Sequence, residues 1–483
     1  MNSGEMHNVQ SLRELFELPA DFPPAVTDAA ANATDRFARD RVDARDVEFV
    51  TIDPPGSLDL DQAVCIQRTE TGYRCNYAIA DVGAFVAPGS PIDLEAKRRG
   101  QTIYLPDGNV PLHPRILSEN KASLVAGEDR PAIWWQVETD ASGSLTQVRV
   151  RRAIVHVRER LDYPTLQQQL DAGQPLHPAI ALLPEWGHLR EQQAHDAGAI
   201  ELQLPEQDLE LIDGEWQLRL EPRTQIDGWN AQCSIATGIA AAHIMLAANV
   251  GLLRTLPAPD ADTIATFRKV ARALSVTVTD DATPGTILDS LEPGSPESLA
   301  LNAAATKLLR GAGYEAFDGA PPATAWHAGV AASYAHATAP LRRLADRHVN
   351  EICVAASAGA WVPLQHEPDN APTLDATAVP ASIRAELPEL AGIMQASGKR
   401  ASDVDNTAIN LGEAVALQHR VGETFTAALL RPADGNHDAE IYVMTPPVIA
   451  QCAGDVPAGE LVKVTLTVAE PAKQRVRFRY PAS

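Results

Sequence analysis

Cysteine is scarce and scattered: five residues (Cys65, Cys75, Cys233, Cys353 and Cys452) in 483, with no C-x-x-C pair. An odd, dispersed set reads as reduced thiols in a cytoplasm and argues against structural zinc. A leader is also missing from "MNSGEMHNVQSLRELF", which has no basic stretch followed by an apolar one, so no signal peptide is expected. Long apolar runs are absent apart from one, near 235–253. It contains His243 and Asn249 and is interrupted by Gly238 and Gly251, so it reads as a buried helix, not a membrane span. Positive charge is in deficit, with 40 Lys and Arg against 63 Asp and Glu and a net charge of −23. That excludes a protein that coats nucleic acid with its whole surface, but leaves room for a local basic channel. Internal repeats are absent.

What remains is a chain of ordinary globular make-up, 45% hydrophobic and 21% charged, long enough for two or three domains. Residues 1–45 are polar and predict a short helix ahead of the first strand. From about 46 to 160 the text alternates at period two, as in "GYRCNYAIADVGAFV" and "LTQVRVRRAIVHVRER". From about 160 to 355 helical periodicity dominates. A Pro/Ala-rich surface loop, 359–380, and a further helix near 383–415 come next. Residues 418–483 return to short strands, predicting a small OB-type β-barrel. The fold class is therefore α+β, a mixed sheet with surrounding helices followed by a barrel. In the last strand Lys473, Arg475, Arg477 and Arg479 occupy alternate positions, which predicts a one-sided basic stripe facing nucleic acid.

The segment "TIDPPGSLDLDQA" places Asp53, Asp59 and Asp61 within nine positions. Asp59 and Asp61 share a face if extended, and Asp53 folds back toward them across the Pro-Pro-Gly-Ser turn. Clustered carboxylates repel unless a cation neutralises them, and Mg²⁺ takes a few carboxylates plus water and phosphate oxygens. An EF-hand is excluded, because glycine and glutamate are missing at its sixth and twelfth positions. The residues alone leave two readings open, a metal site or a hydrated acidic turn.

The same segment resembles the signature of the ribonuclease II (RNB) family, T-I-D, a short turn, then D-x-D-D-A. Further stretches are similar in order and spacing: "YAIADVGAFVAPGSPIDLEAKRRGQTIYLPDGNVPLHPRILSENKASLVAGEDRPA", "HIMLAANVGLLR" and "WHAGVAASYAHATAPLRRLADRHVN". The resemblance covers roughly residues 20–483 and implies an RNB catalytic domain over 46–416 and an RNA-binding barrel over 418–483. Members often begin with two cold-shock domains. Only some 45 residues precede the catalytic strands here, so the resemblance implies a form without them.

The family's enzymes are processive 3′→5′ exoribonucleases that use Mg²⁺, for which Mn²⁺ is an expected substitute, and release nucleoside 5′-monophosphates. By resemblance Asp53, Asp59 and Asp61 surround the metals, and Asp61 is the acid most directly tied to cleavage. Gln62 stands at a metal-ligand aspartate, which implies a weakened or missing metal and leaves an RNA binder without nuclease activity as the alternative. "HATAPLRRLADRH" resembles the family's T-S-P-I-R-R-Y-x-D-L. Arg342 then meets the scissile phosphate, beside amides of a helix starting near Pro340. The competing reading of Arg342 is an i,i+4 ion pair with Asp346. Arg343 and Arg347 are expected to support the site or contact RNA in its channel. Tyr104 matches a tyrosine that stacks on a base near the 3′ end. Asp405 and His336 are weaker candidates, Trp134 and Trp135 are expected in the core, and His327 is expected to be packed. The implied partner is single-stranded RNA, with no membrane, no nucleotide cofactor and a monomeric state.

Overall fold

The computed structural model describes residues 12–202, 206–212, 215–221, 223–292, 295–365, 373–433, 437–457 and 460–482. The first eleven residues and the middle of the 359–380 loop lie outside it.

The central sheet is mixed. Its strands are β1 (Val42–Asp43), β2 (Phe49–Asp53), β3 (Gln62–Arg68), β4 (Gly72–Ala80), β7 (Asp129–Asp140) and β8 (Leu145–Asp162), in the order β1-β8-β2-β3-β4-β7, with a seventh, Val362–Pro363, paired to β8 off this path. Between β4 and β7 lies the small hairpin β5 (Ile103–Leu105) and β6 (Gly108–Val110). β8 serves several neighbours because of its length, β1 and the short strand Val362–Pro363 among them. Residues up to His156 pair antiparallel with β7, and residues from Val157 to Asp162 pair parallel with β2. Alternation in β8 buries Val148, Val150, Val155 and Val157 completely, and these pack with Trp135, Tyr77 and Phe49. Trp135 and Trp134 are core residues, as expected, with the Trp135 indole donating to Asn350 Oδ1 at 2.9 Å.

Three helices frame the sheet and the barrel: α1 (Gln225–Ala248), α2 (Leu344–Ser357) and α3 (Ala381–Leu417). α1 begins with a reciprocal capping box between Thr224 and Asp227. By length and composition it is apolar enough to cross a membrane, yet 61% of its most apolar window is buried against protein. The apolar run that predicts one buried helix over 235–253 is in fact two elements. Asn249 turns left-handed (φ 53°), and Val250–Thr255 continues as a strand paired with Gly313–Asp318. A second hairpin, Glu206–Ile212 with Glu215–Glu221, also interrupts the stretch expected to be helical. Gly238 is required where α1 meets the chain leading to α2: a Cβ there would lie 2.2 Å from the Tyr334 ring and 2.6 Å from the Ala335 carbonyl.

The C-terminal strands Thr424–Arg431, Ala439–Met444, Pro447–Ala453, Val462–Glu470 and Arg475–Arg479 close into a five-stranded barrel. Its core includes Phe425, Ile441, Val464 and Phe478, and Leu417 at the end of α3 joins them. On its outer side Ala428, Leu430 and Tyr442 pack against the helices Ala261–Ala273 and Pro296–Ala305. Lys473 is not part of the last strand. It sits in the 3₁₀ turn Pro471–Lys473, and Gln474 is left-handed (φ 50°), so the alternation starts only at Arg475. Arg475, Arg477 and Arg479 are exposed, while Phe478 points inward. Lys473 and Arg475 share Glu470, at 3.2 and 2.8 Å, and Arg477 lies 3.7 Å from Asp438. Residues 418–483 carry seven acidic and seven basic side chains, so the whole net negative charge resides upstream of the barrel.

Glu413, on the last turns of α3, is buried against the barrel and accepts from the Ile449 N–H at 3.4 Å. Burial pushes its carboxyl up to about 8. A carboxyl held above its unfolded value near 4.5 favours the folded state fully below that value, and the contribution is lost as pH rises toward 8. Glu413→Gln is therefore expected to raise the melting temperature at pH 8.5 and to leave it unchanged at pH 4.5. Differential scanning calorimetry at the two pH values checks this.

Candidate active site

The acidic segment is a loop between β2 and β3. Asp53 ends β2, and the chain reverses at Pro54–Gly56, where Gly56 adopts φ 87° and the Ser57 N–H donates to the Pro54 carbonyl at 3.2 Å. The return limb is held by Ser123, a fully buried side chain. Its Oγ accepts the Leu60 N–H at 3.0 Å and donates to the Leu58 carbonyl at 2.7 Å, while the Leu124 N–H donates to the Leu60 carbonyl at 3.0 Å. Leu60 points into the core, and Asp59 and Asp61 flank it.

Asp61 is 4% exposed. Its Oδ1 accepts the Leu341 N–H at 2.7 Å, and its Oδ2 lies 3.5 Å from Arg342 Nε. Burial holds its carboxyl well above the usual range despite the opposing Arg342 guanidinium. Asp59 is raised for the same reason. Burial brings Asp53 to about 6 against the pull of Arg160 and Arg342, and its Oδ2 is buried without a hydrogen-bond partner. The donor set fits a divalent cation. Its atoms are hard carboxylate oxygens, one of them orphaned, in a place where burial resists negative charge. Among the described residues no group of three or more His, Cys, Asp or Glu side chains is placed to hold a metal ion unaided. Water and phosphate oxygens would complete the shell.

The segment carrying Arg342 is set by α2. Ala339 N–H donates to Asp346 Oδ1 at 2.7 Å, Asn350 Nδ2 donates to the Ala337 carbonyl at 2.7 Å, and Arg343 grips Asp346 with Nε and Nη2 at 3.0 and 2.8 Å. The helix begins at Leu344, later than Pro340, because Pro340–Arg342 form a turn whose Leu341 amide is taken by Asp61. Asp346 thus pairs with Arg343, and the ion pair that competed for Arg342 does not form. Arg342 keeps a half-exposed guanidinium directed at the acids.

On the other side, Thr102 N–H donates to the Arg342 carbonyl at 2.9 Å and Leu344 N–H to the Gly100 carbonyl at 3.0 Å. This draws the β5–β6 hairpin to the site. Ile103 and Leu105 point inward, so Tyr104 stands 53% exposed within electrostatic reach of Arg342, Asp59 and Asp61. A cavity of about 320 Å³ is lined by Tyr104, Arg342 and Arg343 together with Ser402 and Asp405 of α3.

Several expected residues lie elsewhere. Arg347 is 7% exposed and paired with Asp93 of the helix Pro91–Arg99, so it is not open to RNA. Arg343 borders the cavity, but its guanidinium is committed to Asp346. His336 accepts or donates with the Tyr314 hydroxyl at 2.7 Å inside a cluster of rings with Tyr334. His327 packs edge-on to Tyr334, as expected. Gln62 is turned from the acids, its amide bonded at both ends. Lys473, in its 3₁₀ turn, stands outside the strand stripe.

Two residues that escaped sequence reasoning approach Asp53: Arg160 near the end of β8, and Tyr163, whose hydroxyl accepts Asn230 Nδ2 at 2.9 Å. Only the pairing of Asp53 with Asp162 brings them there, and no local pattern announces it.

Residues 41–358 match the RNB domain, and residues 423–480 match the RNase II-type exonuclease C-terminal S1 domain. The chain belongs to the RNB family. Ribonuclease R of Escherichia coli is 29% identical over 369 residues, covering 71% of this chain and 44% of that protein. This chain therefore spans less than half the length of that relative. The fold matches Mycoplasma genitalium RNase R, both free and in complex with ribose-methylated single-stranded RNA. Each comparison has a TM-score of 0.83 at 17% identity and covers 99% of this chain and 78% of that one. Yeast Ssd1, a pseudonuclease, shares the fold at TM-score 0.64 and 15% identity, over 97% of this chain and 57% of that one. The RNB sheet, its helices and the terminal barrel are thus those of the family, and the acidic loop and Arg342 lie within its RNB part.

Proposed function

We propose that this RNB protein is a 3′→5′ exoribonuclease that hydrolyses single-stranded RNA processively to nucleoside 5′-monophosphates. The observation that carries the reading is the meeting of Asp61 and Arg342, 3.5 Å apart, beside the orphaned oxygen of Asp53. Asp53, Asp59 and Asp61 would hold Mg²⁺, or Mn²⁺ in its place, which when bound lowers the pKa of water and offsets phosphate charge. Asp61, with one oxygen fixed by the Leu341 amide, orients the attacking water through the other. Arg342 donates to the non-bridging oxygens of the last phosphodiester, where charge grows in the transition state. Breaking the P–O3′ bond leaves the phosphate on the 5′ side of the released nucleotide. Tyr104 stacks on a base, a contact of about 1–3 kcal/mol that no base identity restricts.

The second reading, a binder without catalysis, rests on Gln62 in place of an acid. A 5′-labelled oligoribonucleotide incubated with Mg²⁺ decides between them. Loss of the full-length strand to a short 5′-labelled end product, with few intermediates, supports the enzyme; tight binding of an intact strand supports the binder.

The barrel stripe is proposed to hold RNA upstream of the site. Its ion pairs are exposed and therefore weak, so a phosphate can displace Glu470 or Asp438. Reversing Arg475, Arg477 and Arg479 to glutamate is expected to weaken binding of a long RNA and to lower its salt slope by about 2. Cleavage of a short oligonucleotide is expected to stay within twofold. Fluorescence anisotropy across a salt series and a single-turnover assay read the two quantities.

A further inference from the structure

Gln62 opens β3 opposite Ile79 of β4, one residue beyond Asp61. As a metal ligand it would have to offer its amide oxygen to the cation. That oxygen instead accepts from the Tyr77 hydroxyl at 3.0 Å, and Nε2 donates to the Thr338 carbonyl at 2.6 Å. The Tyr77 hydroxyl also lies 2.9 Å from Ser234 Oγ. The result is one chain of hydrogen bonds from α1 through β4 and β3 to the segment ahead of α2. Consecutive residues thus hold that segment at two points. Asp61 takes the Leu341 N–H, and Gln62 takes the Thr338 carbonyl, on either side of Pro340. An aspartate at position 62 is one methylene shorter, and its carboxylate has no proton to give the Thr338 carbonyl.

We propose that Gln62 is a positioning residue. It fixes the Thr338–Arg343 segment, and with it the guanidinium of Arg342, without touching the cation. The inference rests on the exonuclease reading for its kinetic effect, but its structural part stands without that reading. Gln62→Met keeps the length and removes both hydrogen bonds. Tyr77→Phe removes the bond at the amide oxygen, together with the Tyr77–Ser234 bond, and leaves the one to Thr338. Gln62→Asp restores the acid.

Three quantities are measured on the full chain: Mn²⁺ binding by isothermal titration calorimetry, kcat and KM on a short oligoribonucleotide, and hydrogen exchange of the 338–343 amides. Gln62→Met is expected to bind Mn²⁺ within twofold of the parent and to exchange faster at Leu341 and Arg342. Its kcat should fall by about 10²-fold with KM nearly constant, as a small misplacement of a catalytic group predicts. Tyr77→Phe should keep kcat within threefold, so that the loss tracks the Thr338 bond. Gln62→Asp should bind Mn²⁺ no more tightly and should lose kcat. Tenfold tighter Mn²⁺ binding or a higher kcat in Gln62→Asp would overturn the proposal. So would unchanged exchange at 338–343 in Gln62→Met. If the parent releases no nucleotide, the exonuclease reading fails, and the exchange and binding data still decide the role of Gln62. Should Gln62→Met not fold, Gln62→Asn, too short to bridge Tyr77 and Thr338, makes the same comparison.

Discussion

Asp61→Asn is expected to reduce nucleotide release by about 10³-fold or more while single-stranded RNA binds within threefold of its parent affinity. The size reflects where the charge sits. Asp61 is buried, one oxygen is fixed by a backbone amide, and the other faces Arg342. Asparagine keeps the shape and can keep the bond from Leu341 N–H. It then presents an NH₂ toward Arg342 Nε, donor against donor, and removes the negative charge needed beside a metal-activated water. Binding survives because Tyr104, Arg342 and the barrel are intact. The variant should also melt at or above the parent temperature, because burial disfavours the ionised carboxyl that the substitution removes. Gel-resolved product analysis, anisotropy and calorimetry together separate a chemical defect from a folding one. A variant that loses RNA binding in step with cleavage would contradict the assignment.

Arg342→Ala is expected to cost about 10²–10³-fold in kcat, comparable to removing one donor from a pre-organised charge-stabilising site. Arg342→Lys should recover less than tenfold of that loss, because an ammonium is a point charge where a planar fork is required. The backbone is not expected to move in either variant. The 342 carbonyl is held by Thr102 N–H, and the turn is pinned by Asp346 through Ala339 and Arg343. Asp346→Asn is the informative contrast, since it releases Arg343 and allows the turn to relax. Single-turnover rates at saturating RNA distinguish the two cases: a pure chemical loss in the Arg342 variants, and a mixed loss with faster amide exchange in Asp346→Asn.

The parts of the site that sequence could reveal were those carried by residue type in a fixed local order. Asp53, Asp59 and Asp61 come from one loop, and Arg342 comes from one motif, so composition and resemblance reached them. Side-chain direction was less accessible. Asp61 and Gln62 are adjacent, yet one accepts an amide beside Arg342 and the other bridges Tyr77 and Thr338. Arg343 and Arg347 are one helical turn apart, yet one borders the cavity and the other is buried on Asp93. Lys473 fitted the period-two stripe until a single left-handed residue, Gln474, broke it. Ser123 and Tyr163 left no local trace, because their partners lie more than sixty positions away in the chain. Fold class survived these errors because it rests on the alternation of long segments, not on where one side chain points.

α3 runs unbroken for 37 residues, about 55 Å at 1.5 Å per residue. It carries Ser402 and Asp405 on the cavity wall and, two turns later, Glu413 and Leu417 in the seam with the barrel. The helix therefore works as a lever with one arm in each part. A displacement of the barrel is expected to reach the cavity wall, since the helix is unbroken between them. Exchanging this barrel for another is for that reason expected to change the width of the cavity beside Tyr104 and Arg342.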